Sequence, residues 1–223
     1  MKKPSLEFLS LSLVLGIIGA IGSLLFFAWI TTQVLEGETK HFDDVTRAAV
    51  HQFATPTLTA TMRGISFVGS SLFLTIASIG MFIWMMSRGW KRDAWLLGLT
   101  MIGAGILNTT LKLSFRRPRP MPFFDLLPPE SFSFPSGHSL ASFCFFGALA
   151  SILTARITNT KLNLMTWILS GTLVLAIGLS RIYLGVHYTT DVLAGFAAAL
   201  IWIAVIRFVE MQIVRMRKSK REA

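Results

Sequence analysis

VLAGFAAALIWIAVI, residues 192–206, contains no charged side chain. As an α-helix this stretch would be about 22 Å long, at about 1.5 Å per residue. With few interruptions its apolar character continues to Val214, which brings the block near the roughly 20 residues that cross a bilayer. The stretch predicts a membrane-spanning helix, because a helix satisfies its own backbone hydrogen bonds in lipid.

Five further apolar blocks precede this one along the 223-residue chain. The six predicted helices cover about residues 8–30, 65–86, 94–111, 139–155, 164–179 and 192–214. The sequence contains no internal repeat or low-complexity segment. We therefore expect an all-α polytopic membrane protein, with six transmembrane helices bundled in a single domain over residues 1–223.

The composition supports a membrane protein and argues against a nucleic-acid partner. Hydrophobic residues make up 53% of the chain and charged residues 14%, against roughly 25% charged in soluble domains. The net charge is +10, but the basic residues form short clusters between apolar blocks, which is typical of the flanks of membrane spans. The single cysteine, Cys144, lies in an apolar block and is predicted to be a small buried hydrophobe. The apolar stretch after Met1 to Lys3 is too long for a signal peptide and predicts a retained first span.

The distribution of lysine and arginine between the connections predicts the orientation. One side holds Lys2, Lys3, Arg88, Lys91, Arg92, Arg156, Lys161, Arg207 and the basic tail at residues 215–221. The other side holds Lys40, Arg47, Arg63, Lys112, Arg116, Arg117, Arg119 and Arg181. The first set is larger and follows the span ends closely, so we expect it to be cytoplasmic, with both termini inside. The loops around residues 33–62, 113–137 and 181–190 would then face outside the cytoplasmic membrane.

The outer segment 42–53 has Val45, Ala48, Ala49 and Phe53 at helical spacing, with charges elsewhere. This pattern predicts a helix. It either lies on the membrane surface or packs on the bundle.

Basic residues cluster at the outer end of the third predicted helix, against the orientation rule. They are Lys112, Arg116, Arg117 and Arg119. Long basic side chains can contact lipid headgroups from such positions. The alternative is a binding site for an anion.

The fourth predicted helix begins in Pro135-Ser136-Gly137-His138. Proline and serine favour a helix start, and glycine allows close approach to the backbone N–H groups. The N-terminus of a helix is a ready site for phosphate. A plain helix cap with an interfacial histidine would use the same residues.

A third polar cluster extends from Ser180 and Arg181 to His187 and Asp191. His187 and Asp191 are four residues apart, so one helical turn places them on the same face. A carboxylate there would fix the imidazole tautomer and raise its basicity. The alternative is a surface pair without a catalytic role.

Alternating helix directions bring the three clusters to one face of the bundle. Ionisable groups at membrane depth are costly and usually functional. Phosphoryl transfer needs positive charge around the phosphate, an in-line nucleophile and an acid for the leaving oxygen. The residues supply each part, although they leave open which histidine attacks; the carboxylate partner favours His187.

At these positions the chain resembles the type-2 phosphatidic acid phosphatase superfamily. Three motifs carry the resemblance: Lys-x6-Arg-Pro from Lys112 to Pro120, Pro-Ser-Gly-His at residues 135–138, and Ser-Arg-x5-His-x3-Asp from Ser180 to Asp191. The six-helix layout extends the resemblance over nearly the whole chain.

The resemblance implies a role for each motif residue. His187 would be the nucleophile and form a phosphohistidine, Asp191 would orient it, and His138 would protonate the leaving alkoxide and then activate water. The phosphate would be held by Lys112, Arg119, Arg181, Ser136 and the Gly137 N–H. Arg116 and Arg117 are not motif positions, and we expect them to contact headgroups at most. No metal or other cofactor is expected.

The superfamily also contains soluble vanadium haloperoxidases, but the continuous apolar spans disfavour that branch. Small bacterial members act on lipid phosphates, so phosphatidylglycerol phosphate, undecaprenyl diphosphate and phosphatidate are all candidate substrates. The loop at residues 121–130 is expected to help choose among them. A non-catalytic lipid-phosphate binder or transporter is the alternative, but it would not need the His187–Asp191 pair. Expected partners are the lipid substrate and membrane lipids, and the sequence sets no oligomeric state.

Overall fold

The computed structural model describes residues 6–124 and 130–222, which form eight helices and no strand. The all-α prediction is confirmed. The helices are α1 (Leu6–Glu36), α2 (Lys40–His51), α3 (Pro56–Val68), α4 (Ser71–Ser87), α5 (Lys91–Phe115), α6 (Gly137–Thr154), α7 (Thr160–Tyr183) and α8 (Thr189–Glu222).

Five helices are long and apolar enough to cross a membrane, namely α1, α5, α6, α7 and α8. They confirm five of the six predicted spans. Each begins or ends a few residues beyond the apolar block that predicted it, and the motif residues Lys112, Arg181 and Asp191 therefore lie within helical end turns. Helix α8 packs against α1, α5, α6 and α7.

The second predicted span, residues 65–86, is wrong as a single helix. The structure divides it between α3 and α4, which are bent by 47°. The break lies at Gly69 and Ser70, where the Ser70 side chain accepts a hydrogen bond from the Phe73 N–H (3.2 Å) and starts α4. An apolar residue count does not register such a cap, because the flanking residues are apolar on both sides. If the bent pair is one span, the bundle has six.

Large hydrophobic side chains cover the outside of the bundle, where lipid would contact them. Examples are Ile21, Leu25, Ile76, Ile102 and Leu169, each more than half exposed.

Inside, small residues let the helices approach closely, as membrane bundles require. A Cβ at Gly103 of α5 would lie 1.9 Å from the Trp202 ring of α8. Cys144 is fully buried, as predicted.

The outer segment forms α2, and it packs on the bundle against α7 and α8. Asp43 faces inward and is fully buried, whereas Phe42 and Val45 are about half exposed. The prediction of a helix in this segment is confirmed, and so is the alternative in which the helix packs on the bundle.

The helix ends that carry the three motifs lie together, as their alternating directions predicted. The Ser136 N–H, before α6, donates to the Asp191 carbonyl of α8 at 2.9 Å. The Phe123 N–H, in the loop after α5, donates to the Leu184 carbonyl after α7 at 3.0 Å. We call this end of the bundle the motif end. Two predicted features, the flank Lys2 and Lys3 and the loop residues 125–129, lie outside the described residues.

The charge count predicts that the motif end faces outside. Glu130 is exposed at this end and Lys161 is exposed at the other, while the native Cys144 is buried. We expect Glu130→Cys to react with a membrane-impermeant maleimide in intact cells. Lys161→Cys, the matched control, should react only after lysis. The reverse labelling pattern would show that the orientation is inverted.

Candidate active site

The Pro-Ser-Gly-His segment starts α6, as the sequence predicted. Ser136 is the N-cap residue, and its side chain accepts a hydrogen bond from the Ser139 N–H. Gly137 and His138 then form the first turn, whose N–H groups have no partner within the helix. The Ser136 hydroxyl is buried and also bonds the Ser139 hydroxyl at 3.0 Å. The cap therefore places the N–H groups of Gly137 and His138 at the helix N-terminus.

Close packing by α8 holds this turn in place. A Cβ at Gly195 would lie 2.7 Å from the Ser136 carbonyl oxygen and 2.9 Å from the Ser139 Cβ. A contact that short with backbone cannot be relieved by a side-chain rotation. Gly195 is therefore required for α8 to lie directly against the start of α6.

His187 and Asp191 form a buried hydrogen-bonded pair, as their spacing predicted. The His187 Nδ1 lies 3.2 Å from the Asp191 Oδ2, and both side chains are almost fully buried. A carboxylate only accepts, so Nδ1 carries the proton in this pair. The other ring nitrogen, Nε2, lies 3.0 Å from the Arg119 Nη1. Arginine only donates, so Nε2 presents its lone pair toward Arg119.

The three cations expected to hold phosphate come from the end of α5, the loop after it and the end of α7, and one of them, Arg119, contacts His187. Arg119 donates to Ser131 and to the Val186 carbonyl as well as facing His187. Lys112 is buried at the end of α5 and donates to the Phe132 carbonyl. Arg181 is buried at the end of α7 and donates to the Ser66 hydroxyl of α3. Its Nε is buried with no partner among the described residues, so it has a donor left for an anion.

His138 lies beside the break between α3 and α4. A Cβ at Gly69 would come within 3.4 Å of the His138 Cδ2 and within 2.3 Å of the Ile177 side chain. A side chain at Gly69 would therefore clash with Ile177 and touch the His138 ring. The sequence did not predict this contact.

The environment of His187 favours its neutral form. Burial lowers the pKa of His187 to about 4, with Arg119 and Arg181 acting in the same direction, and Asp191 opposes them only in part. A histidine that is neutral at physiological pH, with Nδ1 protonated, carries its lone pair on Nε2, the atom that faces Arg119.

Arg117 corrects the sequence prediction. We expected it to contact headgroups at most, but its guanidinium is largely buried and forms ion pairs with Asp191 (2.7 Å) and Asp43 (2.8 Å). It also lies over the Tyr188 ring, 4.1 Å from the ring centroid. Its neighbour Arg116 is exposed and ends α5 in a left-handed conformation, and that turn directs the following residues back over the bundle.

Sequence reasoning missed three other residues at the site. Ser133 donates to Asp191, Ser66 accepts from Arg181, and Asp43 pairs with Arg117. The sequence contains only a weak indication that Asp43 belongs to the site, namely an acidic residue beside the apolar positions of a predicted outer helix. Its neighbour Asp44 shares that signal, yet it is half exposed and pairs with Lys40.

The sequence model of the PAP2 superfamily matches residues 93–214, which contain all three motifs. The chain belongs to the PAP2 superfamily. It is a membrane-spanning phosphatase of that superfamily, and the three motifs of this PAP2 protein meet at its motif end.

Relatives of this PAP2 chain cover most of its length. Phosphatidylglycerophosphatase B of Bacillus subtilis is 32% identical over 89% of this chain and 98% of the relative. The crystal structure of the first transmembrane PAP2 type phosphatidylglycerolphosphate phosphatase from Bacillus subtilis superposes with a TM-score of 0.80. The chain in that crystal structure is 30% identical to this one, and the match covers 87% of this chain and 96% of the Bacillus subtilis chain. A decaprenylphosphoryl-5-phosphoribose phosphatase of Mycobacterium tuberculosis is 31% identical over 64% of this chain and 75% of its own length.

The protonation of His187 can be measured directly. In protein labelled with ¹⁵N-histidine, we expect NMR to show neutral His187 with the proton on Nδ1 from about pH 8 down to about pH 5, because the lowered pKa keeps the ring neutral until the pH approaches 4. Asp191→Asn should not raise this pKa, since the carboxylate is the group that favours the charged ring. Titration near the ordinary value of about 6.5, or a proton on Nε2, would contradict the assigned geometry.

Proposed function

We propose that the chain hydrolyses a lipid phosphate at the outer face of the bacterial cytoplasmic membrane, through a phosphohistidine on His187. The observation that carries the proposal is the placement of His187 between its two partners. Asp191 holds Nδ1 and leaves Nε2 facing Arg119. A carboxylate orients the nucleophile, and a cation beside it can bind the anionic phosphate group. This arrangement suits attack on the phosphorus of that group.

In the first step, the His187 Nε2 lone pair attacks phosphorus while the bond from phosphorus to the lipid alkoxide oxygen breaks. His138 gives its proton to that oxygen, and the lipid alcohol leaves. Asp191 stabilises the positive charge that develops on the His187 ring. Lys112, Arg119 and Arg181, with the first N–H groups of α6, hold the phosphate oxygens.

In the second step, His138 takes a proton from water and the water oxygen attacks phosphorus. The bond from phosphorus to Nε2 breaks, which releases inorganic phosphate and restores neutral His187. We call Lys112, Arg119, Arg181 and the first N–H groups of α6 the phosphate cradle. Neither step requires a metal, because the three cations of the cradle already neutralise the phosphate charge.

Phosphatidylglycerol phosphate is the substrate that we propose first. The basis is similarity to a relative named phosphatidylglycerophosphatase B, which this chain matches over almost the whole of that relative's length. Phosphatidate presents the same kind of phosphate monoester, whereas undecaprenyl diphosphate presents a terminal phosphate whose leaving group is the lipid monophosphate. Both belong in the same assay.

The test is phosphate release by purified protein in detergent with excess EDTA, from these three lipids in parallel. We expect release without added metal, fastest from phosphatidylglycerol phosphate.

His187→Ala should lower the rate by at least about 10³-fold through loss of the nucleophile, and His138→Ala by about 10²- to 10⁴-fold through loss of the acid. His41→Ala, at an exposed histidine of α2, is the matched control and should leave the rate unchanged. Activity that EDTA abolishes and Mg²⁺ restores would overturn the metal-free mechanism, and a fully active His187→Ala would overturn the nucleophile.

A further inference from the structure

A buried carboxylate on the outer helix α2 lies outside the three motifs. Asp43 is fully buried, and both its oxygens accept hydrogen bonds from Thr190 at the start of α8. The Thr190 N–H donates to Oδ1 at 2.9 Å and the hydroxyl to Oδ2 at 2.8 Å. A carboxylate at a helix N-terminus is also favoured by the helix dipole. Asp43 therefore fastens α2 to the turn that carries Asp191.

Arg117 connects the Asp43 carboxylate to that of Asp191. Its Nη2 donates to the Asp43 Oδ2 at 2.8 Å and its Nη1 to the Asp191 Oδ1 at 2.7 Å. The Tyr188 ring packs against the flat face of the guanidinium. A planar guanidinium can serve two carboxylates in fixed directions, whereas a lysine ammonium is a single point charge. One cation thus compensates two buried anions.

The two oxygens of Asp191 have different partners as a result. Arg117 takes Oδ1, while Oδ2 faces the His187 Nδ1 and also accepts from Ser133 and the Tyr188 N–H (2.9 Å). The rotation of the carboxylate group is fixed by the bond to Arg117 on one side. That rotation sets the direction of the His187 ring and hence of its Nε2.

We propose that Asp43 and Arg117 are positioning residues for the reaction, and that α2 acts through them on the His187–Asp191 pair. Among the described residues, the side-chain hydrogen bonds of Asp43 and Arg117 are with each other, Thr39, Thr190 and Asp191, and none is with a cation of the phosphate cradle. Their effect is therefore on the rate of phosphoryl transfer and not on substrate binding. The inference rests on the proposed function, because it takes His187 as the nucleophile.

The test compares the steady-state kinetics of Asp43→Asn and Arg117→Lys with the parent, using the lipid that the parent hydrolyses. Asp43→Asn keeps the size of the side chain and removes its charge. Arg117→Lys keeps the charge and removes the planar guanidinium that donates to both carboxylates. We expect each variant to lose about 10- to 100-fold in kcat, the range typical of groups that orient an active-site residue. KM should stay within about twofold, since the cations of the cradle are untouched.

Asp44→Asn is the matched control. Asp44 is the next residue on α2, but it is half exposed and pairs with Lys40, so its kcat should equal that of the parent.

A second measurement separates positioning from a general structural role. Both substitutions are repeated in an Asp191→Asn background, where there is no carboxylate left to position. We expect neither to lower kcat further, because residues that act through one another are non-additive. If the substitutions acted only through a general structural defect, their fold-loss in kcat would multiply with the fold-loss caused by Asp191→Asn.

The proposal is overturned if both single variants keep kcat within twofold of the parent, if the effect is on KM alone, or if the losses multiply in the Asp191→Asn background. Failure of the proposed function looks different, since His187→Ala would then remain active. A dead His187→Ala beside fully active Asp43→Asn and Arg117→Lys would overturn only the positioning role.

Discussion

Asp191 is a fully buried carboxylate, and the motif end of the bundle is arranged around it. Its side chain accepts from Arg117, Ser133, His187 and the Tyr188 N–H, and its backbone carbonyl accepts from the Ser136 N–H. Removing one partner of a buried ion pair typically costs about 3–5 kcal/mol, because the remaining charge has no compensation. The burial of this carboxylate therefore requires the chain segments that supply these groups to meet at the start of α8. The same contacts hold the ring of His187, the nucleophile that we propose.

Helix packing makes that meeting possible. Gly195 lets α8 lie against the backbone of Ser136, and Gly185 has a positive φ of 74° in the turn after α7. A Cβ at Gly185 would lie 2.7 Å from the Phe123 backbone nitrogen, so the loop after α5 can lie directly on this turn. Small residues in a membrane bundle are usually discussed as sites of helix association. Here two of them set how closely the three motifs approach.

Much of this arrangement could be predicted from the sequence, because membrane spans leave long apolar blocks and the motif residues follow a fixed spacing. The five unbroken spans, the start of α6 in the Pro-Ser-Gly-His segment and the pairing of His187 with Asp191 all follow from local patterns. The break at Gly69 does not, since it depends on a cap between two apolar segments. Arg117 and Asp43 are 74 residues apart in sequence, and no local pattern distinguishes buried Asp43 from exposed Asp44 or buried Arg117 from exposed Arg116. Only the packing of α2 on the bundle separates them.

In the proposed mechanism, the Nε2 atom of His187 carries the phosphate between the two steps. The direct measurement is to quench the enzyme during turnover, digest it under alkaline conditions that preserve phosphohistidine, and locate the phosphate by mass spectrometry with both phosphohistidine isomers as standards. We expect phosphate on the peptide that contains His187, as the isomer modified at Nε2. Phosphate on His138, or on the Nδ1 of His187 that the structure bonds to Asp191, would contradict it.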